Sequence, residues 1–183
     1  MAWFMTQIAA QDIGTIDEAA RLELVGTLIT DKPILRNHPY IKKLLCTLPS
    51  EENMADTLLC WLARQDLGYR FLAAALQASP QLIRGIPPAA WGNLITLTPD
   101  ETTSALSCLV RSYAGVRFLQ ELLKRQPQVL QDIPPEVWSR KRTVHGKKSG
   151  QMTPLYELLE TDDSAQLFEQ MIDKMPSTIL KIP

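Results

Sequence analysis

The sequence predicts an all-α protein, an α-solenoid of antiparallel helix hairpins stacked in a single array. Three observations predict it. The stretch Gly115–Trp138, GVRFLQELLKRQPQVLQDIPPEVW, returns as Gly68–Trp91, GYRFLAAALQASPQLIRGIPPAAW, and more weakly as Ser164–Pro183, SAQLFEQMIDKMPSTILKIP. Four prolines, Pro33, Pro80, Pro127 and Pro176, stand 47, 47 and 49 residues apart. Ahead of each proline, at the same offsets, lie two apolar pairs: Leu24-Val25 and Leu28-Ile29, Phe71-Leu72 and Ala75-Leu76, Phe118-Leu119 and Leu122-Leu123, Leu167-Phe168 and Met171-Ile172. Positions i, i+1, i+4 and i+5 form one broad face of a helix. A hairpin with such a face cannot bury it alone, whereas stacked neighbours bury it continuously. Phe71, Phe118 and Phe168 are therefore read as core between units.

Along the chain, residues 1–13 read as a short helix or an ordered arm. Thr15 and Glu18 form a capping box for a helix to about Thr30, and Pro33 stops it. Residues 39–48 form a short helix between Pro39 and Pro49. Ser50, Glu51 and Glu52 suit a helix start, and that helix runs to about Gln65. After a tight junction at Gly68, a second helix reaches Ser79. The turn PQLIRGIPP then leads to one helical turn at 89–93. Thr98-Pro99-Asp100-Glu101 reads as a capping box with proline at the first helical position, opening a helix to about Ser112. The helix 116–125, a second proline turn through Trp138, a polar loop at 139–151, and helices at 153–160 and 165–174 complete the order. No stretch shows the alternation of a strand.

One unit is thus helix A, a tight turn, helix B, a proline turn, a tryptophan-bearing short helix and a variable loop. The boundaries fall at 1–49 (N-terminal helices and a degenerate capping unit), 50–97, 98–151 (with a basic loop) and 152–183 (a partial unit). The last copy stops at Lys181-Ile182-Pro183, where the others continue as P-P-x-x-W. It reads as a terminal cap or as a longer array cut short.

With 183 residues, 45% apolar and 21% charged, the composition is that of an ordinary globular domain. A net charge of −1 makes the whole molecule neither a nucleic-acid magnet nor an acidic tail. No apolar run approaches the ~18–20 residues that cross a bilayer, and the N-terminus lacks the basic start of a signal peptide. Cys46, Cys60 and Cys108 read as buried thiols of a reducing compartment, which points to the cytoplasm.

Residues 150–172 carry a family resemblance. Gly150-x-x-Thr153-Pro154-Leu155-Tyr156, then Leu158-Leu159, Leu167 and Met171-Ile172, resembles the ankyrin pattern G-x-T-P-L-H-x-A-A with a later V-x-x-L-L. Tyr156 stands where ankyrin repeats have histidine, and the period of about 47 exceeds their ~33. The resemblance covers residues 50–183. It implies a non-enzymatic module that docks a protein partner, such as the recognition arm of a larger protein. Elongated repeats of this style resemble translocated effectors of intracellular bacteria, which implies host cytoplasm as the place of action.

Chemistry-bearing motifs are lacking. His38 and His145 have no metal-ligand spacing, and no nucleophile elbow, P-loop or dinucleotide fingerprint occurs. Carboxylate pairs such as Asp162-Asp163 sit at helix starts, where the helix dipole explains them. No catalytic residue, metal or cofactor is expected.

Two sets of residues are candidates for binding. On helix A, aligning the units puts Trp61, Cys108 and Glu157 at one position. Arg64, Arg111 and Glu160 share a second, and Gln65, Ser112 and Thr161 a third. Their chemistry varies while apolar neighbours keep type, as solvent-facing or partner-facing sites do, and Trp61 suits either a hot spot or a buried side chain. The other set is the loop 139–149, with Arg140, Lys141, Arg142, Lys147 and Lys148 and no acid. It suits either a solvated insertion or a contact for phosphate, an anionic lipid or nucleic acid. Trp91 and Trp138 read as closing each hairpin over the stack, with exposed binding anchors as the alternative.

Overall fold

The computed structural model describes residues 57–143 and 151–183, together with Gly26 and Leu45. Gly26 and Leu45 are helical, as expected of residues 15–30 and 39–48. The rest of those helices, the N-terminal arm and Pro33 lie outside the described residues.

Among the described residues the chain is mostly helical, and one order of elements recurs. It begins with α1 (Leu58–Leu62), α2 (Asp66–Ala78), α3 (Pro80–Arg84) and α4 (Pro88–Gly92). After the strands β1 (Ile95–Thr98) and β2 (Glu101–Thr103) it returns as α5 (Ala105–Arg111), α6 (Tyr113–Arg125), α7 (Pro127–Gln131) and α8 (Pro135–Trp138). The strands β3 (Arg142–Thr143) and β4 (Gln151–Met152) lead to α9 (Pro154–Glu157), α10 (Asp162–Lys174) and α11 (Pro176–Ile179).

The local chemistry of each copy is the same. Thr57, Ser104 and Thr153 are extended N-cap residues whose hydroxyls accept the backbone N–H of Cys60, Ser107 and Tyr156 at 3.2, 3.2 and 3.1 Å. Each cap satisfies a donor that the first helical turn leaves open. Ser104→Ala is expected to lower unfolding free energy by about 1 kcal/mol in a denaturant titration, and Ser104→Thr, which matches the caps of the other two copies, to keep most of it. Equal losses in both variants would show that the cap hydrogen bond is not the cause.

Pro80, Pro127 and Pro176 occupy the first position of α3, α7 and α11, where a missing N–H costs nothing. The residues before them, Ser79, Gln126 and Met175, share nearly one backbone conformation, with φ of −143°, −144° and −141°. The expected proline turns are thus short helices in their own right.

Packing follows the copies. Helices α1, α5 and α9 pack in succession, as do α2, α6 and α10, and α4 lies on α8. The thirteen-residue helices α2, α6 and α10 bury one face each, through Phe71, Leu72, Ala75 and Leu76, then Phe118, Leu119, Leu122 and Leu123, then Leu167 and Met171. Phe168 is only partly buried, and Leu159, Ile172 and Leu180 of the last copy are exposed. Trp91 and Trp138 are fully buried in the same continuous core, which overturns the exposed-anchor alternative.

Between α1 and α2 a Cβ on Gly68 would stand 2.1 Å from the Leu62 carbonyl oxygen. Between α5 and α6 a Cβ on Gly115 would stand 2.2 Å from that of Leu109. Neither glycine has a positive φ, so space and not backbone conformation demands it.

Two expectations are corrected. Thr98–Glu101 does not open a helix. Thr98 pairs with Glu101 across a turn at Pro99-Asp100, inside an antiparallel hairpin that aligns Ile95 with Thr103 and Thr96 with Thr102. The helix starts at Ala105, with Ser104 as its cap. A second small hairpin aligns Arg142 with Met152 and Thr143 with Gln151. The two hairpins abut, and the Thr143 N–H donates to the Thr102 hydroxyl at 2.9 Å. Strands are therefore present in the variable loops, while the mostly helical class stands.

Candidate functional site

Two concave features stand out among the described residues. The first is a pocket of about 230 Å3 with mixed polar and apolar walls at the ends of α1 and α5, bordered by the β1–β2 hairpin. Arg64, Tyr69, Leu97, Thr103, Cys108 and Arg111 line it. Cys108 is 8% exposed, and its sulfur lies 3.2 Å from the Thr103 hydroxyl oxygen. The Cys60 thiol, on the adjacent helix α1, also hydrogen-bonds to it. That bond is the largest influence drawing the Cys108 thiol down to about 7. Burial pushes the other way, while Thr103, Arg64 and Arg111 add to the lowering. Tyr69 donates its hydroxyl to the Ala63 carbonyl at 2.7 Å, and burial holds its phenol above the usual range.

Beside this pocket lies a buried ion pair. The Arg142 Nε donates to Glu157 Oε1 at 3.0 Å, and Nη2 donates to the same oxygen. The Nε of Arg111 is 3.7 Å from that oxygen. Glu157 Oε2 and Arg142 Nη1 are buried with no hydrogen-bond partner among the described residues. Burial holds the Glu157 carboxyl above the usual carboxylate range, against the pull of Arg142 and Arg111.

These contacts revise the expected binding positions. Trp61, Cys108 and Glu157 are all buried, so that position of helix A does not face outward. The β1–β2 hairpin covers it at Cys108, and Arg142 of β3 covers it at Glu157. The next position is the open one, with Arg64 half-buried and Arg111 and Glu160 exposed. Gln65, Ser112 and Thr161 are the N-cap residues of α2, α6 and α10. Ser112 and Thr161 accept the N–H of Gly115 and Ser164, a structural task.

The basic loop is likewise divided. Arg142 is buried in its ion pair, and Arg140 donates to the Gly92 carbonyl at 3.0 Å. Lys141 is exposed, while Lys147 and Lys148 lie outside the described residues.

The second feature is a groove of about 360 Å3 between α2 and α6, which sequence reasoning missed. Ala73, Leu76, Ala114 and Phe118 give it an apolar floor, and Tyr113, 67% exposed, stands at its edge. Three arginines, Arg70, Arg117 and Arg125, border it against one carboxylate, Glu121, which is itself ion-paired with Arg125 at 3.0 Å. A signal was present: Arg70 and Arg117 occupy the same place in successive copies, in G-Y-R-F and G-V-R-F.

Among the described residues no group of three or more His, Cys, Asp and Glu side chains could hold a metal ion, and no helix is long and apolar enough to cross a membrane. No protein-family model, no curated protein and no solved structure matches the chain.

Proposed function

We propose that the chain is a solenoid of elongated ankyrin-like hairpins that acts by binding protein. It seats an acidic, apolar-anchored segment of a partner in the groove between α2 and α6. The observation that carries this reading is the groove itself, an apolar floor edged by three arginines and one already paired carboxylate. An apolar trough suits the anchor side chain of a docked segment. The excess of positive charge selects acidic flanks and steers their approach. Succession of α2, α6 and α10 holds the groove walls on thirteen-residue helices, and no bond-making step is needed.

Display selection of random peptides on the full chain tests the proposal. The expected consensus places aspartate or glutamate around an aromatic or leucine anchor. Binding of the selected peptide should weaken by about tenfold or more in Arg70→Glu/Arg117→Glu, and should fall with rising salt. Ala73→Glu, which puts a carboxylate on the groove floor, should do the same, and Lys141→Glu should leave binding unchanged. A consensus without acids, or affinity indifferent to the groove variants, overturns the reading. The alternative is an anionic ligand held by the loop 139–149. It must do without Arg142, which is buried, and must compete for Arg140 with a backbone carbonyl.

A further inference from the structure

We propose that Cys60 and Cys108 form a thiol pair oxidised by hydroperoxides, in which Cys108 is the attacked sulfur and Cys60 resolves it to a disulfide joining α1 to α5. The pair is not a lone cysteine in a core. Its two thiols are hydrogen-bonded across adjacent helices, and one of them opens on a pocket of about 230 Å3. That volume admits a molecule as small as hydrogen peroxide. Around the sulfur stand a hydroxyl, Thr103 at 3.2 Å, and two guanidinium groups, Arg64 and Arg111. Such surroundings favour the thiolate, which is the reactive form. A thiol lowered to about 7 is substantially ionised at neutral pH while keeping its nucleophilicity.

The chemistry balances as follows. The Cys108 thiolate attacks one peroxide oxygen, the O–O bond breaks, and hydroxide leaves beside Arg64 and Arg111 and takes a proton to become water. Cys108 is oxidised to a sulfenic acid, and the peroxide oxygens are reduced. The Cys60 sulfur then attacks the sulfenic sulfur. An S–S bond forms, the S–O bond breaks, and the departing hydroxide leaves with the Cys60 proton as a second water. Closing the bond requires the hydrogen-bonded sulfurs to move to about 2.05 Å. Side-chain rotation on two packed helices serves that approach better than any change of fold.

The repeat register accounts for the proximity. Cys60 and Cys108 are one residue out of step with the 47-residue spacing, so they occupy neighbouring positions on helices that pack side by side.

The test treats the full chain with hydrogen peroxide, blocks free thiols with iodoacetamide under denaturing conditions, and reads intact mass and a non-reduced peptide map. The expected product has lost two hydrogens, carries one carbamidomethyl group on Cys46, gives a linked Cys60–Cys108 peptide, and regains the two hydrogens with dithiothreitol. In Cys60→Ser, dimedone should trap a sulfenic acid on Cys108. In Cys108→Ser, Cys60 should remain alkylatable at the same peroxide dose, and Cys46→Ser should behave as the parent. Recovery of both Cys60 and Cys108 as free thiols, a disulfide to Cys46, or equal dimedone labelling of Cys60 in Cys108→Ser overturns the proposal. The parent map decides by itself if a variant does not fold.

Discussion

Arg142→Ala is expected to lower the stability of the folded chain by about 3–5 kcal/mol, read by urea unfolding at neutral pH. The substitution leaves the Glu157 carboxylate buried with the exposed Arg111 as its remaining cation, 3.7 Å away. Breaking one side of a buried pair exposes the full desolvation penalty of the other. Two further results separate this from loss of packing. Adding Glu157→Gln to Arg142→Ala should recover part of the loss, because a neutral amide tolerates burial better than an orphaned carboxylate.

The penalty should also depend on pH. The Glu157 carboxyl already titrates above its ordinary value because of burial, so the folded state holds this proton more tightly than the unfolded state does. Its contribution is therefore fully present below the unfolded carboxylate range and lost as pH rises through the folded value. Removing Arg142 takes away a lowering influence and pushes the carboxyl further up. The loss in Arg142→Ala should grow towards neutral pH and shrink as the carboxylate range is approached from above. A penalty under ~1 kcal/mol, or one independent of pH, would mean the pair is solvated and not buried.

Gly115→Ala is expected to cost about 3 kcal/mol, although alanine is ordinarily the better helix former. The new methyl would stand 2.2 Å from the Leu109 carbonyl oxygen, 2.6 Å from its Cα and 2.8 Å from its carbonyl carbon. None of these atoms can rotate aside, so α5 and α6 must separate, and the core between them opens. The third copy shows the alternative solution. Ser164 replaces the glycine, and its hydroxyl oxygen lies 2.8 Å from that of Thr161 and donates to the Glu157 carbonyl at 3.4 Å. There the preceding helix α9 is only four residues long. Denaturant unfolding of Gly115→Ala beside an exposed control such as Gln128→Ala measures the difference. A Gly115→Ala variant as stable as the parent would show that the α5–α6 junction is looser than its contacts state.

The repeated positions were legible because spacing is a property of the sequence. Counting places Gly68 and Gly115 at the close junctions and the Phe-Leu pairs on the buried face, and it aligns Thr57, Ser104 and Thr153 without marking Thr57 and Ser104 as the caps they are. The variable loops were harder for a physical reason. Thr98-Pro99-Asp100-Glu101 satisfies a capping box and a tight turn equally well, because proline and aspartate suit both. Strands of two to four residues are too short to establish a period of two. Arg142 reads from the sequence as a surface cation, solvated or in contact with an anion, because it stands among other basic residues. Its partner Glu157 is fifteen residues away, and no local pattern links them. The variation among Trp61, Cys108 and Glu157 suggested exposure, but it records three different coverings over one buried position. The groove was hidden for the opposite reason: its floor is made of the apolar residues that helix periodicity assigns to packing.

The succession of α2, α6 and α10 bears on how the chain reaches its structure. Each helix meets its counterpart across one repeat length, so the loops that must close are all of similar size. Loop-closure entropy rises only with the logarithm of loop length, and here it does not accumulate from one contact to the next. A hairpin finished at the growing end of a nascent chain finds its docking surface already made by the hairpin before it. Among the described residues, assembly can therefore follow the direction of synthesis, each long helix docking on a counterpart made before it.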